Sequence, residues 1–115
     1  MIHIYHNPRC SKSRIGLEIV EKSGQEFKVI QYLKEVPSVQ ELTVLIALLK
    51  MKPLDLVRKN EAIWKEQYKQ QTLTDTEIIE AMVAHPKLIE RPIVIKENTA
   101  VIGRPSENIT QLLAY

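Results

Sequence analysis

Ile2-His3-Ile4-Tyr5 alternates β-favouring residues and stops at Asn7-Pro8, a pair that punctuates turns, so the chain is predicted to open on a strand. Beyond Ser11, the apolar residues Ile15, Leu17, Ile19 and Val20 fall among Glu18, Glu21 and Lys22, and Ser23-Gly24 brings a helix-ending glycine. This segment predicts a helix. Phe27-Lys28-Val29-Ile30-Gln31-Tyr32 reads as a second strand. Together these elements form a β-α-β unit, whose strands run parallel and whose crossover is right-handed.

Further along, Ser38 with Glu41 three residues on forms a capping box, and Leu42, Leu45, Ile46 and Leu49 follow at helical spacing. Pro53-Leu54-Asp55-Leu56-Val57-Arg58-Lys59-Asn60 predicts a short helical turn, and a polar segment containing Trp64 and Tyr68 follows it. Thr74 and Glu77 repeat the capping box ahead of Ile78, Ile79, Met82 and Val83, with His85-Pro86 as the stop. The chain from about residue 38 to 87 is therefore predicted to be a mostly helical insert. After Arg91-Pro92, the runs Ile93-Val94-Ile95-Lys96 and Ala100-Val101-Ile102 flank Glu97-Asn98-Thr99 as a hairpin. Gly103-Arg104-Pro105 ends the second arm, and Ser106 with Ile109, Leu112 and Leu113 builds a terminal helix. The order is β-α-β, helical insert, β-β-α, which predicts an α/β chain with a four-stranded mixed sheet.

The 115 residues, 44% of them hydrophobic, suit one domain spanning 1–115 with one core. The 16 basic and 14 acidic side chains are dispersed and leave a net charge of +2, so no basic stripe suited to nucleic acid forms. No apolar run approaches the length of a bilayer, and the first residues lack a signal-peptide pattern, so a cytoplasmic protein with no membrane partner is expected. No Cys/His/Asp cluster has metal-ligand spacing. His3 and His85 read as structural residues, and Trp64 and the tyrosines as packing for the insert.

The single cysteine, Cys10, stands between the first strand and the first helix, at the end of the sheet where open α/β sheets place ligands. A free thiol has a pKa of about 8.5, and a helix N-terminus or nearby cations lower it by one to several units. Amide groups of the first helical turn, which lack intrahelical partners, would point at the sulfur. His6 and Arg14 could add positive potential. A buried, inert cysteine is the competing reading. One cysteine cannot close a disulfide within its own chain, so redox chemistry here calls on a thiol from another molecule.

Four segments in this order, His6-Asn7-Pro8-x-Cys10-x-x-Ser13-Arg14, Leu56-Val57-Arg58-Lys59-Asn60, His85-Pro86-x-Leu88-Ile89-x-Arg91-Pro92-Ile93-Val94 and Gly103-Arg104-Pro105-Ser106-Glu107, resemble the glutathione- and glutaredoxin-dependent arsenate reductases, and among them a shorter, arsenate reductase-like subgroup. The resemblance covers nearly the whole chain. It implies a thioredoxin-like fold carrying the helical insert. It also implies that the Cys10 thiolate attacks arsenate, that glutathione then adds as a co-substrate with no tightly bound cofactor, and that glutaredoxin resolves the mixed species to release arsenite. On the same grounds Cys10 matches the nucleophile and Arg58, Arg91 and Arg104 match three oxyanion-binding arginines. His6, Ser13 and Arg14 match residues around the thiolate, and Pro92 matches a structural cis-proline.

Arginine suits a tetrahedral oxyanion because its planar fork donates several hydrogen bonds and stays protonated. Arg91 and Arg104 each precede a proline at a strand boundary, where the extended backbone directs the side chain. The Ser13 hydroxyl either donates to the sulfur or makes a local backbone bond, and in place of a second cysteine it resolves no disulfide. His6 either holds charge near the thiolate, orients a bond to it, or simply ends a strand. Arg14 faces either the pocket or the solvent. A phosphatase-like arsenate reductase is disfavoured, since Arg14 sits at the wrong spacing from Cys10 for a Cys-x5-Arg loop and no second cysteine exists. Two other readings stay open: a thioredoxin-fold regulator that binds RNA polymerase, and a glutathione-linked thiol oxidoreductase with another substrate.

Overall fold

Four short strands hydrogen-bond in the order β2-β1-β3-β4 in the computed structural model, which describes residues 1–114. Strand β1 (Ile2–Tyr5) runs parallel to β2 (Phe27–Ile30) and antiparallel to β3 (Ile93–Lys96), which pairs antiparallel with β4 (Thr99–Ile102). This is the mixed sheet expected from the sequence, in a thioredoxin-like arrangement. The backbone divides into two compact units: Met1–Glu35 with the chain from Arg91 onward, and Val36–Glu90.

In the first unit the parallel pair is joined by helix α1 (Ser11–Lys22), which ends at Ser23 ahead of Gly24. Gly24 has φ +73°, a left-handed conformation that costs glycine nothing. The terminal helix (Glu107–Leu113) joins α1 in the core: Val20, Ile109, Leu112 and Leu113 bury against Ile2, Ile4 and Val94, with Leu17, Ile19 and Val29 at the margin. Strand β2 is shorter than the pattern suggested. At Gln31 the carbonyl accepts from the amides of Lys34 and Glu35, a turn that removes Gln31 and the buried Tyr32 from the ladder.

Packing around Pro92 is close. A Cβ on Gly16, in α1, would lie 2.8 Å from Pro92 Cγ and 3.0 Å from Ile109 Cδ1. One on Gly103, just past β4, would lie 2.6 Å from Ile109 Cδ1 and 2.8 Å from Pro92 Cγ. The amide of Gly103 also donates to the Pro92 carbonyl at 2.8 Å. Two missing side chains therefore let a helix and a strand end close around one proline ring.

The second unit is helical. Helix α2 (Val39–Leu49) and the later Asp75–Ala84 helix both start on complete capping boxes, Ser38 with Glu41 and Thr74 with Glu77. Each cap satisfies amides that the first turn leaves open, worth about 1 kcal/mol. Their apolar faces bury Leu42, Leu45, Ile46, Ile78, Ile79 and Met82. Between them the structure refines the sequence reading. Only Pro53–Leu56 (α3) is helical, because Val57 extends and bridges Ile89, with Arg58 N–H donating to the Leu88 carbonyl at 2.7 Å. The polar segment that follows holds a further short helix, α4 (Ala62–Gln67), on which the buried Trp64 stacks on Tyr68 at 5.4 Å. With α4 in place, the Asp75–Ala84 helix is α5 and the terminal Glu107–Leu113 helix is α6. Among the described residues no helix is long and apolar enough to cross a membrane.

The crowding at Gly103 yields a prediction. Gly103→Ala should lower stability by about 1–3 kcal/mol through overpacking, seen as a reduced midpoint in urea with an unchanged slope. A midpoint equal to wild type would show that Pro92 and Ile109 give way freely.

Candidate active site

Strand β1 ends at Tyr5, and the turn that follows is built by Asn7. Its carbonyl accepts from Cys10 N–H at 3.0 Å, and its side-chain Oδ1 accepts from Arg9 N–H at 3.0 Å. Cys10 is then delivered as the N-cap of α1, in extended conformation (φ −99°, ψ 122°), with its carbonyl accepting the first helical bond from Arg14 N–H at 3.0 Å. The Cys10 side chain is partly exposed.

Several forces act on its protonation. Partial burial on its own raises the thiol pKa; against it stand, in order of size, the main-chain N–H of Ser13, the charge of Arg91, the main-chain N–H of Lys12 and the charge of Arg104. The balance lowers the pKa below the ordinary thiol value. The amides contribute electrostatically without closing a formed cap hydrogen bond. Arg104 touches the sulfur directly, with Nη2 donating to Sγ at 3.6 Å and Nε donating to the Arg91 carbonyl at 2.8 Å. Arg91 itself is buried, at 9% exposure. The peptide bond between Arg91 and Pro92 is cis, and so is that between Arg104 and Pro105, which the sequence reading left unmarked.

Ser13 and His6 take narrower roles than the sequence left open. The Ser13 hydroxyl is fully buried, accepts from Asn7 N–H at 2.9 Å and is hydrogen-bonded to His6 Nδ1 at 2.7 Å. Its hydroxyl is thus spent on the loop, and it is the Ser13 amide that favours the charged sulfur. Burial lowers the pKa of His6, with the Ser13 bond opposing and the charge of Arg14 assisting. A histidine held below its ordinary value is neutral at pH 7, so His6 orients Ser13 and adds no positive potential. Arg14 spans the loop from outside, donating from Nη1 to the Pro8 carbonyl at 2.9 Å on an exposed surface.

Cys10, His6, Ser13, Arg14, Arg91, Arg104 and Pro92 all belong to the first unit. Arg58 is held in the second unit, where its guanidinium lies 3.6 Å from Glu61 and 3.9 Å from Glu90, and Nη1 donates to the Lys87 carbonyl at 3.4 Å. Sequence reasoning missed Asn7, although the Asn-Pro turn signal marked its position; it did anticipate first-turn amides acting on the sulfur, and those of Ser13 and Lys12 do so. Among the described residues, no group of three or more His, Cys, Asp or Glu side chains is arranged to hold a metal ion.

A model described as the ArsC family matches residues 5–112. A protein of Escherichia coli K12 with the description uncharacterized protein YfgD is 40% identical over 114 residues, 97% of this chain and 96% of its own length. The arsenate reductase of Acidiphilium multivorum is 42% identical over 113 residues, 97% of this chain and 80% of its own. A solved arsenate reductase from Vibrio cholerae aligns with a TM-score of 0.91 at 42% identity, over 96% of this chain and 95% of that one. Since the matched span begins in the strand that leads to the cysteine and closes in the helix packed behind it, this chain belongs to the ArsC family.

Proposed function

We propose that this chain reduces arsenate to arsenite through the Cys10 thiolate, with glutathione and glutaredoxin as the reducing thiols. The observation that carries the reading is the sulfur itself, held toward its charged form with Arg104 Nη2 at 3.6 Å and Arg91 close enough to stabilise that charge. Relatives bearing the name arsenate reductase over almost the whole chain support it.

An anionic sulfur and a tetrahedral oxyanion repel each other, and guanidinium groups beside the sulfur offset that repulsion while donating in pairs to the oxyanion. Hydrogen bonds to charged groups contribute about 1.5–3 kcal/mol each and do not simply add. The thiolate bonds to arsenic and one arsenate oxygen leaves as water. Glutathione next replaces a second oxygen on arsenic, and glutaredoxin then resolves the mixed species. Over the cycle arsenic gains two electrons, two thiol sulfurs give up one each as they join in a disulfide, and net one oxygen departs as water. Arg91 and Arg104 carry the oxyanion-binding part of the reading. A lone thiol that must stay reduced belongs in a reducing compartment, so we assign the chain to the cytoplasm.

Three outcomes test the reading. Cys10→Ser should abolish arsenite formation in an assay with arsenate, glutathione, glutaredoxin and NADPH-driven recycling, and a wild-type rate no higher than that of the serine variant would end the proposal. Arg104→Lys or Arg91→Lys should reduce kcat/KM for arsenate about tenfold or more, the effect of losing about 1.4 kcal/mol of fork-specific stabilisation. The pH dependence follows from the lowered thiol pKa: as pH falls through that pKa the sulfur takes up a proton and becomes unreactive. The rate of Cys10 alkylation by iodoacetamide should therefore reach half its plateau at a lower pH than that of an unperturbed thiol in a short cysteine peptide. Arg104→Gln should move that midpoint upward, and an unmoved midpoint would remove Arg104 from control of the sulfur.

A further inference from the structure

A cleft of about 240 Å³ is lined by Lys12, Ile15, Arg104, Pro105, Ser106 and Glu107. Arg104 links it to the reacting atom, forming one wall of the cleft and donating to Cys10 Sγ at 3.6 Å. Its chemistry differs from that of an oxyanion site. Glu107 brings a carboxylate that would repel a tetrahedral anion, and Ile15, 44% exposed, brings an apolar surface no oxyanion uses. The two cations, Lys12 and Arg104, outnumber the one carboxylate. A ligand that answers this pattern carries two carboxylates, one ammonium and a short methylene-rich body.

We propose that this cleft seats the second thiol of the cycle, a small zwitterionic thiol peptide of which glutathione is the example, with Glu107 pairing its ammonium, Lys12 a carboxylate, and Ile15 its methylene chain. The inference rests on the arsenate-reducing reading above and names where its co-substrate binds. Seated there, the thiol sulfur bonds to arsenic of the Cys10 adduct as an arsenic–oxygen bond breaks. The thiol proton leaves with that oxygen as water, and no electrons change hands in this step. Arg104 then has two uses, holding the adduct oxygens on one side and closing the cleft on the other.

The test is a charge reversal read against two thiols. In Glu107→Lys, the KM for glutathione should rise about fivefold or more, since an exposed pair is lost and a repulsion replaces it. The KM for arsenate and the KM for 2-mercaptoethanol, a neutral thiol with no charges for the cleft to read, should stay within about twofold of wild type. An unchanged KM for glutathione, or an equal rise for both thiols, overturns the proposal. A second assay separates this outcome from a failure of the arsenate reading. If the wild-type protein makes no arsenite with either thiol, the rate at which Cys10 forms a mixed disulfide with oxidised glutathione is compared with that for hydroxyethyl disulfide. A Glu107→Lys loss confined to oxidised glutathione supports the cleft, and a loss shared by both disulfides, or none, overturns it.

Discussion

A negative charge on a partly buried sulfur is unfavourable, and the first unit is organised around making it tolerable. Burial raises the Cys10 pKa, and against it two amides and two guanidinium groups bring it below the ordinary thiol value. Those four groups come from distant stretches of chain. The amides belong to the first turn of α1, Arg91 leads into β3, and Arg104 follows β4. Closing the sheet in the order β2-β1-β3-β4 brings these stretches to the same end of it.

That convergence demands close approach, and the Pro92 region shows how it is achieved. Gly16 in the middle of α1 is a poor helix residue, costing about 1 kcal/mol relative to alanine. Its missing Cβ admits the Pro92 ring, and Gly103 makes room for the same ring and for Ile109. Arg91 and Arg104, each next to this packed region, are then joined directly through the Nε-to-carbonyl bond of 2.8 Å. The position of one guanidinium is thereby tied to the backbone of the other arginine. A guanidinium fixed in this way has less freedom left to lose when it meets a partner.

What the sequence disclosed divides along the range of the interactions involved. Capping boxes at Ser38 and Thr74 were legible because both partners lie within four positions, and the strands were legible from alternation and turn residues. Helix α4 was hidden because it is short, polar and without a side-chain cap, and only the burial of Trp64 makes sense of it. The Cys10 N-cap could be read from its place between strand and helix. The use of the Ser13 hydroxyl could not, because its partners, His6 and the Asn7 amide, meet it only after the loop folds back over the helix start. Arg58 likewise pairs with Glu61 locally but with Glu90 beyond the intervening helices α4 and α5, a contact no spacing rule announces.

The buried hydroxyl of Ser13 has a consequence for timing. In a chain with a second sulfur at that place, an adduct on Cys10 could be discharged at once by its neighbour, at a rate fixed by the protein alone. Here the neighbour is an oxygen bound to His6 and Asn7 with no electrons to give. Any covalent intermediate must wait for an encounter, so its lifetime scales inversely with the concentration of thiol around it. The pace of this protein would then be set by the reducing state of its surroundings.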